Sequence, residues 1–230
     1  MPRVDRLSRL WWSWRSAWRA TLIGLGLRRG DAWSRGIAFR WSRPGPPPDL
    51  SKLRRPVWLQ PDDEIGVAAG TRAILATGER FAIALVDCVG YSTGFEFTIS
   101  YRSRDEMSHK LLGIGMAPGS NRQLEVRVTY PGGERGSSAE HGTEAINAHY
   151  EASYVGREPP LPSGPIVMPK GGGGGGKRFD YSYWCWPLPP EGLMSITVEW
   201  IDAGISPTTV EIDASAIRLG GLKSKKLWTE

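Results

Sequence analysis

Apolar and polar residues alternate along several stretches of this chain with a period of two, the pattern typical of a β-strand. In the stretch 93–101, apolar side chains stand at residues 95, 97, 99 and 101, and polar ones stand between them. The same alternation runs from Leu124 to Tyr130 and from Met194 to Trp200. Each stretch is therefore predicted to be a strand with one buried face and one face in water.

Further strands are predicted from shorter patterns. Residues 81–89 are apolar on both sides until Asp87, which predicts a central strand that is covered on both faces. Shorter strands are predicted at Ala73–Ala76, Leu111–Ile114, Pro165–Met168, Asp180–Trp186 and Thr208–Ile212. Amphipathic strands at this spacing predict an all-β fold, an antiparallel β-sandwich or jelly-roll-like domain.

Two short helices are predicted beside the strands. One spans Ala139–Tyr154 and has an apolar face within a long insertion. The other spans Asp213–Leu219, with Asp213 as its N-cap and Gly220-Gly221 as its end. Strand patterns outnumber helical ones, so we expect under about 20% helix, below the average for globular proteins.

Positive charge and tryptophan are concentrated at the N-terminus. The chain has 230 residues and a net charge of +5, with 29 basic and 24 acidic residues. Residues 1–55 hold 13 of the basic and 3 of the acidic residues, so the remainder, with 16 and 21, is acidic. Six of the 11 tryptophans also fall in this part. These shifts predict a basic extension and linker at residues 1–60 and a β-sandwich domain at residues 61–230.

The extension contains a candidate amphipathic helix at Leu7–Leu27. Its apolar stripe consists of Leu7, Trp11, Trp14, Trp18, Leu22 and Leu25. Arginines and tryptophans on such a helix are typical of binding to an anionic membrane surface. The favoured interpretation is a disordered tail, or a translated region that lies upstream of the true start. Membrane binding comes second, and nucleic acid is not expected as a partner.

The most distinctive segment is the aromatic run at residues 181–186. Its candidate binding residues are Tyr181, Tyr183, Trp184 and Trp186. In a strand these side chains point to both faces, so one set fills the core and the other needs a cover. The favoured cover is the chain itself; a partner subunit and a ligand such as a sugar are the alternatives.

A glycine run precedes this segment. Gly171–Gly176 and Lys177 match the spacing of a phosphate-binding loop, which also needs Ser or Thr next and a following helix. Arg178 stands in the Ser/Thr place, and a strand is predicted to follow. We therefore predict a flexible loop between strands. The glycine N–H groups, with Lys170, Lys177 and Arg178 around them, remain a candidate site for binding an anion.

Catalytic and metal-binding patterns are weak. His141 and His149 are eight residues apart, which does not pair ligands on one helix face, and no metal or cofactor is expected. Cys88 and Cys185 fall within predicted strands and are expected to be buried and unreactive. Acidic residues such as Glu96 and Glu199 lie on predicted wet faces. Two facing carboxylates there would serve a hydrolase.

Four segments carry a resemblance to a known group. YSTGFEF at 91–97, KRFDYSYWCWPLPPEG at 177–192, VEW at 198–200 and KKLW at 225–228 resemble a group of actinobacterial hypothetical proteins without an assigned activity. The resemblance covers roughly residues 61–230. It implies a bacterial, intracellular, single-domain protein and supplies no catalytic residue or cofactor.

Together these features predict a non-enzymatic β-sandwich module that binds a protein partner or associates with itself. One alternative is a jelly-roll-type hydrolase with a carboxylate site near Glu96 or Glu199. The other is a peripheral membrane protein held by the helix at Leu7–Leu27. The expected location is the cytoplasm, with a membrane-peripheral position if that helix binds lipid.

Overall fold

The computed structural model describes residues 55–106, 124–139, 142–154 and 156–228. In these ranges there are twelve strands: β1 Glu64–Ile65, β2 Val67–Ala68, β3 Ala73–Thr77, β4 Phe81–Gly90, β5 Phe95–Ser103, β6 Glu125–Thr129, β7 Arg135–Ser137, β8 Ile166–Gly175, β9 Arg178–Trp186, β10 Leu193–Trp200, β11 Ile205–Asp213 and β12 Lys225–Lys226. Two helices accompany them, α1 Gly142–Tyr154 and α2 Ser215–Leu222. The predicted helix at Leu7–Leu27 and the predicted strand at Leu111–Ile114 lie outside the described residues.

The strands form two main antiparallel sheets. The large sheet has the order β2-β4-β5-β9-β8, and β3 also pairs with β4. The small sheet has the order β11-β10-β6-β7, and β1 pairs with β12 separately. The chain changes sheet after β5, after β7 and again after β9. The predicted all-β, antiparallel class is confirmed.

A single apolar core lies between the two sheets. Aromatic rings cross the gap: the ring centroid of Trp200 in the small sheet lies 5.0 Å from that of Tyr101 and 6.2 Å from that of Tyr181 in the large sheet. The buried cluster draws on both sheets, with Phe97 on one side and Ile196 on the other. Face-to-face packing of this kind is a β-sandwich. We call the face of each sheet that lines this core its inner face and the opposite one its outer face.

The alternation seen in the sequence sets which side chains enter the core. In β5, Phe95, Phe97, Ile99 and Tyr101 are all buried on the inner face. Glu96 and Thr98, on the outer face, are partly exposed. Ser100 is also buried although it lies on the outer face, because it belongs to a polar network described below. The predicted half-buried strand is therefore confirmed, with one covered position on its wet side.

Helix α2 differs from its prediction at both ends. Asp213 is the last residue of β11, and its Oδ1 accepts a hydrogen bond from the backbone N–H of Ser215 at 2.8 Å. The helix continues through Gly220 and Gly221 instead of ending there. A Cβ on Gly221 would lie 2.6 Å from the carbonyl oxygen of Tyr91, and a Cβ on Gly90 would lie 2.4 Å from the carbonyl oxygen of Ile217 in the helix. These glycines allow close packing, which a sequence pattern does not separate from helix termination.

Trp58 covers part of the outer face of the large sheet. Its side chain is 1% exposed, and its carbonyl oxygen accepts a hydrogen bond from the indole N–H of Trp184 at 2.9 Å. The ring of His149 on α1 stands edge-on to Trp58, with the centroids 6.2 Å apart. The division predicted at residue 60 stays a prediction, but the packing of Trp58 shows that ordered contacts begin before it.

We predict that Trp58→Ala will lower the free energy of unfolding of the full-length chain by about 3–5 kcal/mol, because it removes a fully buried indole. Urea unfolding followed by circular dichroism measures the change. The matched control is Trp228→Ala, which removes a tryptophan that is 71% exposed and should change stability by less than about 0.5 kcal/mol. Equal effects of the two substitutions would contradict the packing described for Trp58.

Candidate functional site

The glycine run forms a strand, so the predicted flexible loop at Gly171–Gly176 is wrong. Gly171–Gly175 are the second half of β8 and pair with Arg178–Ser182 of β9, with a register shift between Pro169 and Gly171. Gly176 and Lys177 make the turn between the two strands. Strand pairing uses backbone N–H and C=O groups and needs no side chain, so an alternation pattern cannot detect it. The strand predicted after the run is confirmed as β9.

Alternate glycines of this strand differ in the space around them. A Cβ added to Gly173 would have no atom within 4 Å. A Cβ on Gly174 would lie 2.3 Å from the carbonyl oxygen of Arg178, and Gly174 has a φ of +153°, which other residues rarely adopt. The backbone conformation and the close neighbours at position 174 therefore require glycine. At position 173, a side chain would have room above the outer face.

Along the glycines, one edge of β8 is unpaired among the strands that the structure describes. β8 is the last strand of the large sheet, and its only pairing among the described strands is with β9. Every residue from Pro169 to Arg178 is exposed. On the side away from β9, a strand in this position presents backbone N–H and C=O groups that have no strand partner. We call Gly171–Gly175 with these groups the glycine edge.

A polar network lies on the outer face beside the glycine edge. Asp180 on β9 accepts hydrogen bonds from Arg178 Nε at 2.9 Å and Nη2 at 2.6 Å, and from Ser100 Oγ at 2.5 Å. Arg102 Nε donates to the same Ser100 oxygen at 2.8 Å. Arg102 and Arg178 are directly opposite each other in register, an unfavourable pair of like charges that Asp180 offsets. The hydrogen bonds from Arg178 lower the pKa of Asp180, so this carboxylate stays charged at neutral pH.

A second ion pair lies further along the same face. Lys170 Nζ is 2.6 Å from Glu96 Oε2, which also accepts a hydrogen bond from Gln60 Nε2 at 3.1 Å. Glu96 is thus neutralised by a cation. Glu199 lies on the outer face of the small sheet, where Arg127 bonds to both it and Glu125. The two acidic residues that suggested a hydrolase are therefore on different sheets, and each is bound by a basic residue.

The predicted binding residues of β9 separate onto two faces. Tyr183 is buried in the core, where its ring stacks on Phe97 with centroids 5.2 Å apart, and Tyr181 is half-buried beside it. Trp184 is on the outer face and 1% exposed under Trp58 and Tyr91.

Three covers were considered for the second face of β9: the chain itself, a partner subunit or a ligand. At Trp184, the chain itself provides the cover. Trp186 is half-buried at the far end of the strand. Lys177 and Arg178 are fully on the surface, next to the glycine edge. Whether any of the six predicted residues binds a ligand stays a prediction.

The two cysteines are buried, as expected. Burial raises the pKa of both the Cys88 and the Cys185 thiol to about 12, so each stays protonated and unreactive at neutral pH. Within the described ranges, no three His, Cys, Asp or Glu side chains converge on a point where they would hold a metal ion. The described part of the chain therefore offers neither an activated thiol nor a ligand cluster.

Comparison with known proteins gives no match to this chain. No protein-family model, no curated protein sequence and no solved structure shows significant similarity to it. The membership of the actinobacterial group suggested by the four sequence segments therefore stays a prediction. Among the helices that the structure describes, none is long and apolar enough to cross a lipid bilayer.

The unpaired edge of β8 and the roles of Arg102 and Asp180 were not predicted from the sequence. A signal for the network existed, because Arg102 continues the polar positions of β5 and Asp180 alternates with Phe179 and Tyr181. The partners across the strands follow only from the register, which places Ser100 opposite Asp180. No side-chain signal existed for the glycine edge.

We predict opposite outcomes for two neighbouring substitutions in the glycine edge. Gly173→Val adds a β-branched side chain in open space and should leave the melting temperature unchanged or raise it slightly. Gly174→Val meets the Arg178 carbonyl and a φ that valine rarely adopts, so it should lower the melting temperature by several degrees. Thermal unfolding by circular dichroism measures both. A flexible loop would tolerate the two equally, and that result would contradict the strand.

The lowered pKa of Asp180 predicts a pH-dependent contribution to stability. A carboxylate whose pKa is lower in the folded state stabilises that state above its unfolded value near 3.8, and the contribution is lost as pH falls through the folded pKa. Asp180→Asn should therefore lower the melting temperature by a few degrees at pH 7 and have little effect near pH 2. Asp87→Asn, at an exposed position of β4, which β5 separates from β9, is the charge-matched control. A deficit of Asp180→Asn that stays constant between these pH values would contradict the account.

Proposed function

We propose that this protein is a non-enzymatic binding module that accepts an extended polypeptide segment along the glycine edge. The incoming segment pairs with Gly171–Gly175 by backbone hydrogen bonds and so adds a strand to the large sheet. The observation that carries the proposal is an exposed edge strand without side chains. A binding module was also the leading expectation from the sequence.

Two features support pairing at this edge. Natural edge strands are commonly protected by inward-pointing charges, a covering loop or a very short length. β8 is ten residues long, its glycine half is exposed, and the charged residues Lys170 and Lys177 flank that half without interrupting it. Glycines also leave the approach of another backbone unhindered from both faces, because no Cβ stands beside the edge.

The rest of the sandwich supplies a stable platform for this edge. β9 holds β8 in register over nine paired positions, and β5 holds β9 from its other side. Main-chain pairing would give affinity, while the side chains that flank the edge would give specificity.

A cytoplasmic, actinobacterial origin, as the resemblance implies, agrees with two cysteines that are both free thiols.

Selection of decapeptides from a random-sequence display library by the full-length chain tests the proposal. Enriched peptides should perturb the NMR resonances of Gly171–Gly175 most strongly. Gly172→Pro and Gly173→Pro then provide an internal comparison, because successive amides of a strand point to opposite sides. A Cβ on Gly172 would lie 2.7 Å from the carbonyl oxygen of Asp180, so each proline variant is compared with alanine at the same position. The proline variant that melts no lower than its alanine counterpart has lost an outward N–H, and it should bind the peptide at least tenfold more weakly than that counterpart.

Three results would overturn the proposal. They are the enrichment of no peptide, resonance changes on the wild-type chain that fall outside the glycine edge, and unchanged affinity of a stable proline variant. The second readout uses the wild-type protein alone, so the test does not depend on the folding of either variant. Gly173→Val, which adds a side chain but keeps every backbone N–H and C=O, is the matched control and should retain binding.

A further inference from the structure

We infer that the segment accepted by the glycine edge is acidic, and that Arg178 and Lys177 read its carboxylates. This inference rests on the proposed function and specifies the chemistry of the partner. It follows from three features of the described residues: the position of Arg178 in the register, the absence of side chains between it and the free edge, and the local excess of positive charge.

The register places Arg178 one strand away from the edge. Arg178 is opposite Gly175, and Asp180 is opposite Gly173. A strand added to β8 would lie two strand spacings from β9, about 9–10 Å. A glutamate side chain from the new strand would extend over the outer face toward the Arg178 guanidinium, which Asp180 holds on that face.

The glycines leave the path between them open. A Cβ built on Gly173 or on Gly175 would meet no atom within 4 Å, so nothing from β8 or its described neighbours blocks the outer face there. Arg178 is 54% exposed at its side chain, and Asp180 occupies its Nε and Nη2. The remaining guanidinium N–H groups are able to donate to a second carboxylate, which is the pairing that arginine favours.

Among its described residues, this corner of the sheet carries more positive than negative charge, although residues 56–230 as a whole are acidic. Arg102, Lys177 and Arg178 are opposed by Asp180 and by Glu106, whose carboxylate lies close to Gly176. Lys177 is exposed in the turn, and among the described residues no carboxylate pairs with it. Residues 56–230 together hold 16 basic and 21 acidic residues. An acidic segment would therefore be attracted to this corner specifically.

The same charges disfavour a second copy of the chain as the occupant. Antiparallel pairing of two glycine edges about Gly173 would set Lys170 of each copy beside the Gly176-Lys177 turn of the other. At both ends Lys177 would face Lys170, whose charge Glu96 already compensates, so Lys177 would gain no free carboxylate as a partner. The register shift between Pro169 and Gly171 would also interrupt a continuous ladder.

Two short peptides test the inference on the full-length chain. The acidic probe is acetyl-TVEVEVT-amide, and the neutral probe is acetyl-TVQVQVT-amide, which has the same shape. We expect the acidic probe to bind at least fivefold more tightly in fluorescence anisotropy at low salt, and the ratio to fall toward one at high salt. Arg178→Gln and Lys177→Gln should each reduce the ratio. Arg72→Gln removes an equal charge from an exposed residue just before β3, at the far side of the sheet, and should not.

The outcomes separate the two proposals. If both probes bind equally well and the stable proline variant binds neither, the acidic preference is overturned and the proposed binding module is supported. Absence of binding by either probe together with no enriched decapeptide overturns both. A dimer in sedimentation equilibrium that is abolished by the stable proline variant would show that a second copy occupies the edge, which also overturns the inference. If Arg178→Gln does not fold, Lys177→Gln still tests the inference. Lys177 forms no ion pair with a described carboxylate, so its substitution removes no such contact from the fold.

Discussion

The antiparallel pairing of β9 with β5 on one side and β8 on the other is the interaction on which the rest of the structure depends. β9 is packed from both faces: Tyr183 enters the core, and Trp184 is buried under Trp58 on the outer face. A strand fixed on both faces and at both edges has little freedom in register. It can therefore hold in place a neighbour that contributes almost no packing of its own.

That neighbour is the glycine half of β8. Glycine weakens a strand because it loses more backbone entropy on folding and buries no side chain. Gly171–Gly175 are ordered as a strand through the backbone hydrogen bonds that β9 supplies. The result is an edge whose chemistry is that of the bare peptide backbone, next to a network in which Arg178 and Asp180 are locked together. Recognition by backbone and charge follows from this arrangement.

The sequence was sufficient for what side chains determine. Alternation predicted β5, β6 and β10, the two-sided run predicted β4, and the aromatic segment predicted a strand that needed covering on a second face. Prediction from the sequence failed where backbone geometry determines the structure. The glycine run is a strand, and Gly220-Gly221 lie within α2 because the helix packs closely there. Trp58 was assigned to the linker, since nothing local reveals that it packs against Trp184, which is 126 positions away along the chain. For the candidate site, the sequence identified Lys177 and Arg178 but gave no indication that Asp180 pairs with Arg178.

The most direct test of the account is amide hydrogen exchange at Gly171–Gly175 in the free, full-length protein, measured by NMR. A strand paired on one side only should show alternation: amides directed at β9 exchange slowly, and amides directed outward exchange close to the rate of an unfolded chain. Rapid exchange at all five glycines would mean that β8 ends before the run and that no edge exists to accept a partner. Slow exchange at all five would mean that the edge is already occupied.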